Sequence, residues 1–240
     1  DGDVWLLGDH RLMCGDSTNI DAVEKLMDGK KADLVFTDPP YNINQTGGGK
    51  SQIAKRLTKL KSEINFISDF EPKDFLNILP IFFEQNKMNS YIFCNKNLLA
   101  EYLIWAKQNK YSFNVLVWKK PSALPIKDAH RPDIEYLLFF RKSAIWNPSQ
   151  KNVNYSRVIE EKRELGLHPT MKPISIIENQ LKISSNISSK VLDFFGGSGS
   201  TMIACEKTNR KCYMMELDAK YIDVIIKRWQ EFTGKQATNE

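Results

Sequence analysis

Four consecutive residues, Asp38-Pro39-Pro40-Tyr41, close an apolar run and carry the most specific chemistry in the chain. An exocyclic amine on an aromatic base is a poor nucleophile, because its lone pair is delocalised into the ring. Two hydrogen-bond acceptors held against its N–H groups draw the nitrogen toward tetrahedral geometry. The Asp38 carboxylate and the Pro39 carbonyl can supply that pair. Consecutive prolines fix φ and remove N–H donors, so Pro39 and Pro40 stiffen the turn and hold the acceptors in place. Tyr41 offers a flat face on which an extruded base would stack, an interaction of about 1–3 kcal/mol. The competing reading is a proline-rich turn that ends a strand, with Tyr41 in the core.

A second constellation lies far downstream, at Asp193-Phe194-Phe195-Gly196-Gly197-Ser198-Gly199-Ser200-Thr201. Glycines between a strand and a helix let backbone approach a ligand closely, and the helix N-terminus favours an anionic group. A dinucleotide fingerprint, G-x-G-x-x-G, fits at Gly197 and Gly199 but fails at Met202. Glu216-Leu217-Asp218 follows about 20 residues later, where an acid that binds ribose hydroxyls is expected. The pattern points to an adenosine-containing cofactor. Asp193, Phe195, Gly197, Ser198, Gly199, Ser200, Thr201, Glu216, Leu217 and Asp218 are the residues to line it. Taken singly, such a unit is also what a tight turn with no ligand looks like.

The elements that must position these groups alternate. Val4–Leu7 and Arg11–Cys14 read as short strands around Gly8-Asp9, and Thr18 or Asn19 caps a helix to about Met27. Ala32–Thr37 has the apolar run of a buried parallel strand. Residues 42–63 are polar, contain three glycines in a row and read as a mobile loop. Helical spacing covers Lys73–Asn86 and Lys96–Gln108, and strands are expected at Ser90–Cys94, Ser112–Lys119 and Ile134–Arg141. Residues 144–166 are irregular and are the candidate target-recognition insertion. Ser175–Ile183 reads as a helix, Lys190–Phe195 as a strand and Ser200–Thr208 as a helix. Cys212–Leu217 is the last strand and Ala219–Thr233 the final helix. Strands alternating with helices argue for one α/β domain, a mostly parallel sheet with helices on both faces.

The chain has 240 residues, net charge +5 and pI about 8.9. That suits one large domain and permits, without requiring, a polyanionic partner. Two basic stretches are the candidate nucleic-acid contacts: Lys50, Lys55 and Arg56, then Lys119, Lys120 and Arg131. A solvated face produces such runs equally well. The four cysteines form no C-x-x-C pair and the three histidines are scattered, so no metal site is expected. No disulfide framework, signal peptide or apolar run near ~18 residues is evident, which fits a reducing cytoplasm. The chain begins at Asp1 rather than Met, as a piece of a longer polypeptide would.

Taken together, these motifs resemble those of the amino-group DNA methyltransferases, the N6-adenine and N4-cytosine enzymes. The proline motif precedes the glycine turn here, which is similar to the circularly permuted β-class arrangement. Two further segments match. His168-Pro169-Thr170-Met171-Lys172-Pro173 is similar to the family's H-P-T-x-K-P segment, and Leu7–Ser17 looks like the family's opening. The resemblance implies a Rossmann-like fold and S-adenosylmethionine as cofactor, released as S-adenosylhomocysteine. It places His168 and Asp38 near the cofactor, gives Thr170 and Lys172 to its carboxylate, Glu216 to its ribose and Asp16 to its adenine. For Asp16 a helix N-terminal acid, and for His168 a loop or core histidine, are the alternatives. The resemblance implies a bacterial or phage-encoded cytoplasmic enzyme acting on double-stranded DNA, with a homodimer and a cognate restriction nuclease as further partners. Phe194 departs from the family's usual proline, a change expected to bear on packing. The D-P-P-Y form favours N6 of adenine. N4 of cytosine is the nearest alternative, RNA is a further substrate class, and a non-catalytic nucleic-acid-binding subunit is the rival of another class. C5-cytosine chemistry is disfavoured, because no cysteine follows a proline.

Overall fold

The computed structural model describes residues 2–40, 72–121, 123, 125, 127, 130–147, 151–162 and 171–240. Among these residues ten strands form one mixed sheet in the order β10-β1-β2-β9-β8-β3-β4-β6-β5-β7. The strands are β1 (Val4–Leu7), β2 (His10–Cys14), β3 (Leu34–Thr37), β4 (Met88–Cys94), β5 (Ser112–Lys119), β6 (Ile134–Lys142), β7 (Val158–Glu160), β8 (Lys190–Asp193), β9 (Lys211–Glu216) and β10 (Thr238–Asn239). The central five, β2-β9-β8-β3-β4, run parallel. Antiparallel pairings of β4 with β6 and of β6 with β5 extend one side, and the β1–β2 hairpin the other.

Six helices cover the two faces among the described residues: α1 (Ile20–Met27), α2 (Pro72–Ile78), α3 (Leu99–Gln108), α4 (Ile174–Ser184), α5 (Ser200–Thr208) and α6 (Ala219–Thr233). One core joins α1, α2 and α3 to sheet residues such as Val35, Ile92 and Leu192. The other joins α4, α5 and α6 to Leu34, Phe36, Val191 and Met214. Alternate residues of β3 thus serve opposite cores, which is why the whole strand is apolar or buried. Asn19 caps α1, accepting from the Ala22 N–H, and Asp218 caps α6, accepting from the Lys220 N–H.

Two expectations shift. The helix expected to Asn86 stops at Ile78 and tightens into a 3₁₀ turn over Leu79–Phe82, because Pro80 cannot donate to a continuing helix. Thr238–Asn239 pairs with β1 although nothing in its composition announces a strand. The mobile loop expected at 42–63 lies outside the described residues.

The described parts of 144–166 lie close along the sheet. Trp146 sits 5.7 Å from Phe139, and Asn147 Nδ2 donates to the Lys182 and Ser185 carbonyls at 3.2 and 3.0 Å. The segment then climbs to β7, which pairs in parallel with the end of β5. It is fastened there by Trp118 Nε1 donating to the Glu161 carbonyl at 2.8 Å. No helix among the described residues is long and apolar enough to cross a membrane.

Candidate active site

From β8 the chain leads through α5 to β9, and from β3 through α2 to β4 on the other side, so the sheet order reverses between β8 and β3. Open α/β sheets bind ligands at the carboxyl ends of the strands flanking such a switch point. Asp193 ends β8, and Asp38 follows the end of β3. The two motifs, far apart in sequence, are therefore adjacent in space.

Thr37 joins them. Its Oγ1 donates to Asp193 Oδ1 at 2.8 Å and accepts from the Phe194 N–H at 3.2 Å. Asp193 also accepts from the Phe195 N–H at 3.1 Å and from Thr201. Burial raises its carboxyl to about 7 against these hydrogen bonds. Asp193 and Thr201 therefore fix the base of the glycine turn, facing inward.

In the turn, Gly197 and Gly199 have φ of +53° and +77°. A Cβ on Gly196 would lie 2.8 Å from Met214, whereas one on Gly197 would meet nothing within 4 Å. Gly196 is thus needed for packing, and Gly197 faces open space among the described residues. Arg228 on α6 donates to the Ser198 carbonyl at 2.8 Å and approaches the Ser198 and Ser200 hydroxyls at 3.4 and 3.3 Å. Those hydroxyls tie the turn to α6, and sequence reading missed Arg228 because a lone arginine on an amphipathic helix carries no local signal. Phe194 is buried edge-on against Phe75 and Phe82, so its departure from proline is absorbed by packing.

The acids beyond the turn share this edge. Glu216 Oε2 accepts from the Gly197 N–H at 2.6 Å and Oε1 from the Asp218 N–H at 3.0 Å. Burial raises its carboxyl against those donors. Leu217 is 40% exposed beside it. Asp16 follows β2, whose Cys14 is in register with Glu216, and its Oδ1 accepts from the Thr18 N–H and hydroxyl at 2.8 Å each.

The Asp38 carboxylate has two distinct oxygens. Oδ2 takes the Lys172 ammonium, while Oδ1 is buried with no hydrogen-bond partner among the described residues. An orphaned buried acceptor costs about 1–3 kcal/mol, a sign that a working complex gives it a donor. Burial raises the Asp38 carboxyl, Lys172 opposes the shift and Glu135 adds to it.

The resemblance assigns Lys172 to the cofactor carboxylate. Here its ammonium lies on Asp38 and 3.5 Å from Glu135, in a side chain almost closed to solvent. Lys120, expected among the phosphate contacts, also turns inward: it is 6% exposed and paired with Glu135. Its buried ammonium is thereby withdrawn from a passing phosphate. Lys119 is exposed but paired with Glu160, and Arg131 is exposed near the start of β6. Pro39 is buried and Pro40 half-buried. Tyr41, Lys50, Lys55, Arg56, His168 and Thr170 lie outside the described residues.

A family model described as DNA methylase, covering the N6 and N4 enzymes, matches residues 32–228. The chain belongs to this N6/N4 DNA methylase family. It is 24% identical to the type II methyltransferase M2.LlaDCHI of Lactococcus lactis subsp. cremoris, over 82% of this chain and 81% of that protein. It is 27% identical to M.HpaI of Haemophilus parainfluenzae, over 97% and 78%. The fold is similar to a crystal structure of M1.HpyAVI with SAM (TM-score 0.69, 22% identity, 91% of this chain and 98% of that one). It is similar also to the cytosine-N4-specific PvuII DNA methyltransferase (TM-score 0.63, 14% identity, 89% and 84%). The methyltransferase reading, the permuted motif order and the Rossmann-like sheet expected from the sequence agree with these findings.

Proposed function

We propose that this DNA methylase transfers a methyl group from S-adenosylmethionine to N6 of adenine in double-stranded DNA. The observation that carries the reading is Asp38. Among the described residues, an acidic side chain with a buried, unpartnered oxygen stands at the switch point, next to a glycine turn whose Gly197 faces open space. The Asp38-Pro39-Pro40-Tyr41 form supports adenine over cytosine.

The residues present fit the cofactor. The Gly197–Gly199 turn admits close approach, Glu216 and Asp16 stand along one edge to take ribose hydroxyls and the adenine amine, and Leu217 offers an apolar face beside them. S-adenosylmethionine held there would supply the methyl of its sulfonium, the S–C bond breaking as the N–C bond forms, with S-adenosylhomocysteine as the leaving group and the amine's surplus proton passing to Asp38 or water. The protein's part is orientation. Asp38 and the Pro39 carbonyl accept from the amine's two N–H groups and aim its lone pair, and the two prolines keep those acceptors from drifting. Tyr41 stacks the extruded base. Positioning of this kind accounts for a large share of catalysis where no proton must move before the bond forms.

The test is incubation with unmethylated bacterial DNA and isotopically labelled S-adenosylmethionine, digestion to nucleosides and mass spectrometry, with Asp38→Ala as control. Labelled N6-methyladenine, lost in the control, is the expected result. Labelled N4-methylcytosine would move the target and keep the mechanism. No label on any base, with cofactor bound, would overturn the proposal in favour of RNA or a partner-dependent enzyme. No cofactor binding would leave a non-catalytic subunit.

A further inference from the structure

Beside Asp38 lies a group of charges that belongs to none of the sequence motifs as a unit. Glu135 is the second residue of β6, and Lys120 follows β5, whose Trp118 is in register with Glu135. Phe93 and Trp118 meet edge to face at 6.4 Å and form an aromatic floor. The Lys172 ammonium lies 4.9 Å from the Phe93 ring and the Lys120 ammonium 5.0 Å from the Trp118 ring. Glu135 stands between the two lysines: Oε1 takes Lys120 and Oε2 lies 3.5 Å from Lys172. Lys172 in turn takes Asp38 Oδ2. The order Lys120–Glu135–Lys172–Asp38 alternates in sign and sums to zero. Both lysines are 6% exposed, and Glu135 keeps 19% of its side-chain surface. Charges this enclosed persist only when paired.

We infer that Glu135 is a positioning residue for methyl transfer, holding Lys172 on one oxygen of Asp38 so that the other is presented to the target amine. The inference rests on the functional reading above and deepens it. A carboxylate free to rotate would offer the amine two equivalent oxygens in a spread of orientations. Lys172 removes that freedom, and Glu135 with the Phe93 face keeps Lys172 from swinging away. Lys120 has a different task, neutralising Glu135. Because Glu135 acts through Lys172 and Asp38, its removal should alter the chemical step while leaving cofactor affinity in place.

The experiment compares the wild type, Glu135→Gln and the double variant Lys120→Gln/Glu135→Gln. Glu135→Gln leaves two buried lysines without the carboxylate between them, so it should lose thermal stability. The double variant restores charge balance and should recover that stability. The single-turnover methylation rate should fall about tenfold to a hundredfold in both, the loss expected when a reacting group is misplaced by about an ångström. The calorimetric Kd for S-adenosylmethionine should stay within about twofold of wild type in both. A methylation rate that recovers together with stability in the double variant overturns the inference, because Glu135 would then matter only for folding. A Kd that weakens in step with the rate also overturns it, since Lys172 would then be serving the cofactor. A wild type that labels no base overturns the functional reading, and the inference falls with it.

Discussion

Replacing Asp193 by asparagine should stabilise the protein relative to the wild type by an amount that is smallest below about pH 4 and grows until about pH 7. Asp193 is 3% exposed, and burial raises its carboxyl from 3.8 to about 7. Between those values the folded state holds a proton that the unfolded chain has released. The stability that this proton confers is therefore complete below about pH 4 and is lost as pH rises through 7. A shift of about three units corresponds to roughly 4 kcal/mol over the full window, and roughly 2 kcal/mol of it falls between pH 5 and 7. Asparagine cannot ionise and so escapes that loss. Its carbonyl can still accept from Thr37 Oγ1 and the Phe195 N–H, and its amide can donate to the Thr201 hydroxyl. Denaturant unfolding of both proteins at pH 5, 6, 7 and 8 gives the difference directly, with other titrating groups cancelling. The variant should gain roughly 2 kcal/mol on the wild type from pH 5 to 7 and then level off. A difference that is flat from pH 5 to 8 would refute the argument that Asp193 enters the fold protonated.

The glycine turn yields a contrast. Gly196→Ala should cost about 1–3 kcal/mol of stability through the clash with Met214. Gly197→Ala should cost only about 1–2 kcal/mol of backbone strain, yet weaken S-adenosylmethionine binding more than it weakens the fold. Denaturation and calorimetry on both check this, and equal affinity in Gly197→Ala and wild type would contradict the cofactor placement. His10 accepts from the Cys212 N–H at Nδ1 and pairs with Glu206 at Nε2, and burial lowers its pKa below 6.5. The unfolded chain then binds the extra proton first, so stability present above 6.5 is lost on acidification. His10→Gln should flatten that part of the melting profile between pH 7 and 5, and an unchanged slope would count against it. In the proposed mechanism Asp38 accepts from the amine most strongly as the carboxylate, and burial raises its carboxyl above 3.8. Single-turnover methylation should therefore fall with acidification at a midpoint above the ordinary carboxylate value. A rate that holds until the fold itself melts would show that Asp38 is not the titrating acceptor.

Local signals and long-range geometry divided cleanly along this chain. The limits of α5 and α6 and of β5 agree with the expectation residue for residue, because each ends where side-chain chemistry changes: a glycine turn before Ser200, a capping acid before Ala219, Pro121 shortly after Lys119. The shortening of α2 was legible too, since Pro80 stands in the sequence, but an apolar rhythm running through it hid the break. The partners of charged residues were not legible. Lys120 looks like a phosphate contact in a basic run, and only the pairing of β5 with β6 brings Glu135 beneath it. Thr37 reads as the last residue of an apolar strand. Its role in tying Asp193 to the proline motif depends on β3 and β8 being neighbours, across more than 150 positions of sequence.

The same neighbour relation explains why permuted order does not spoil the site. What the chemistry needs is a proline-stiffened acceptor at one strand end and a glycine turn at the adjacent strand end. Strand adjacency, not chain order, supplies both. β3 meets β8 through register pairs Leu34–Val191 and Val35–Leu192, which set the carboxyl ends level. Thr37 then couples the two turns, so that a shift in one displaces the other. A register slip of one residue would turn Thr37 away from Asp193 and exchange the faces of every side chain on β3. Both cores depend on that alternation, with Val35 in one and Leu34 and Phe36 in the other, so the burial that stabilises the sheet also fixes the distance between Asp38 and the glycine turn.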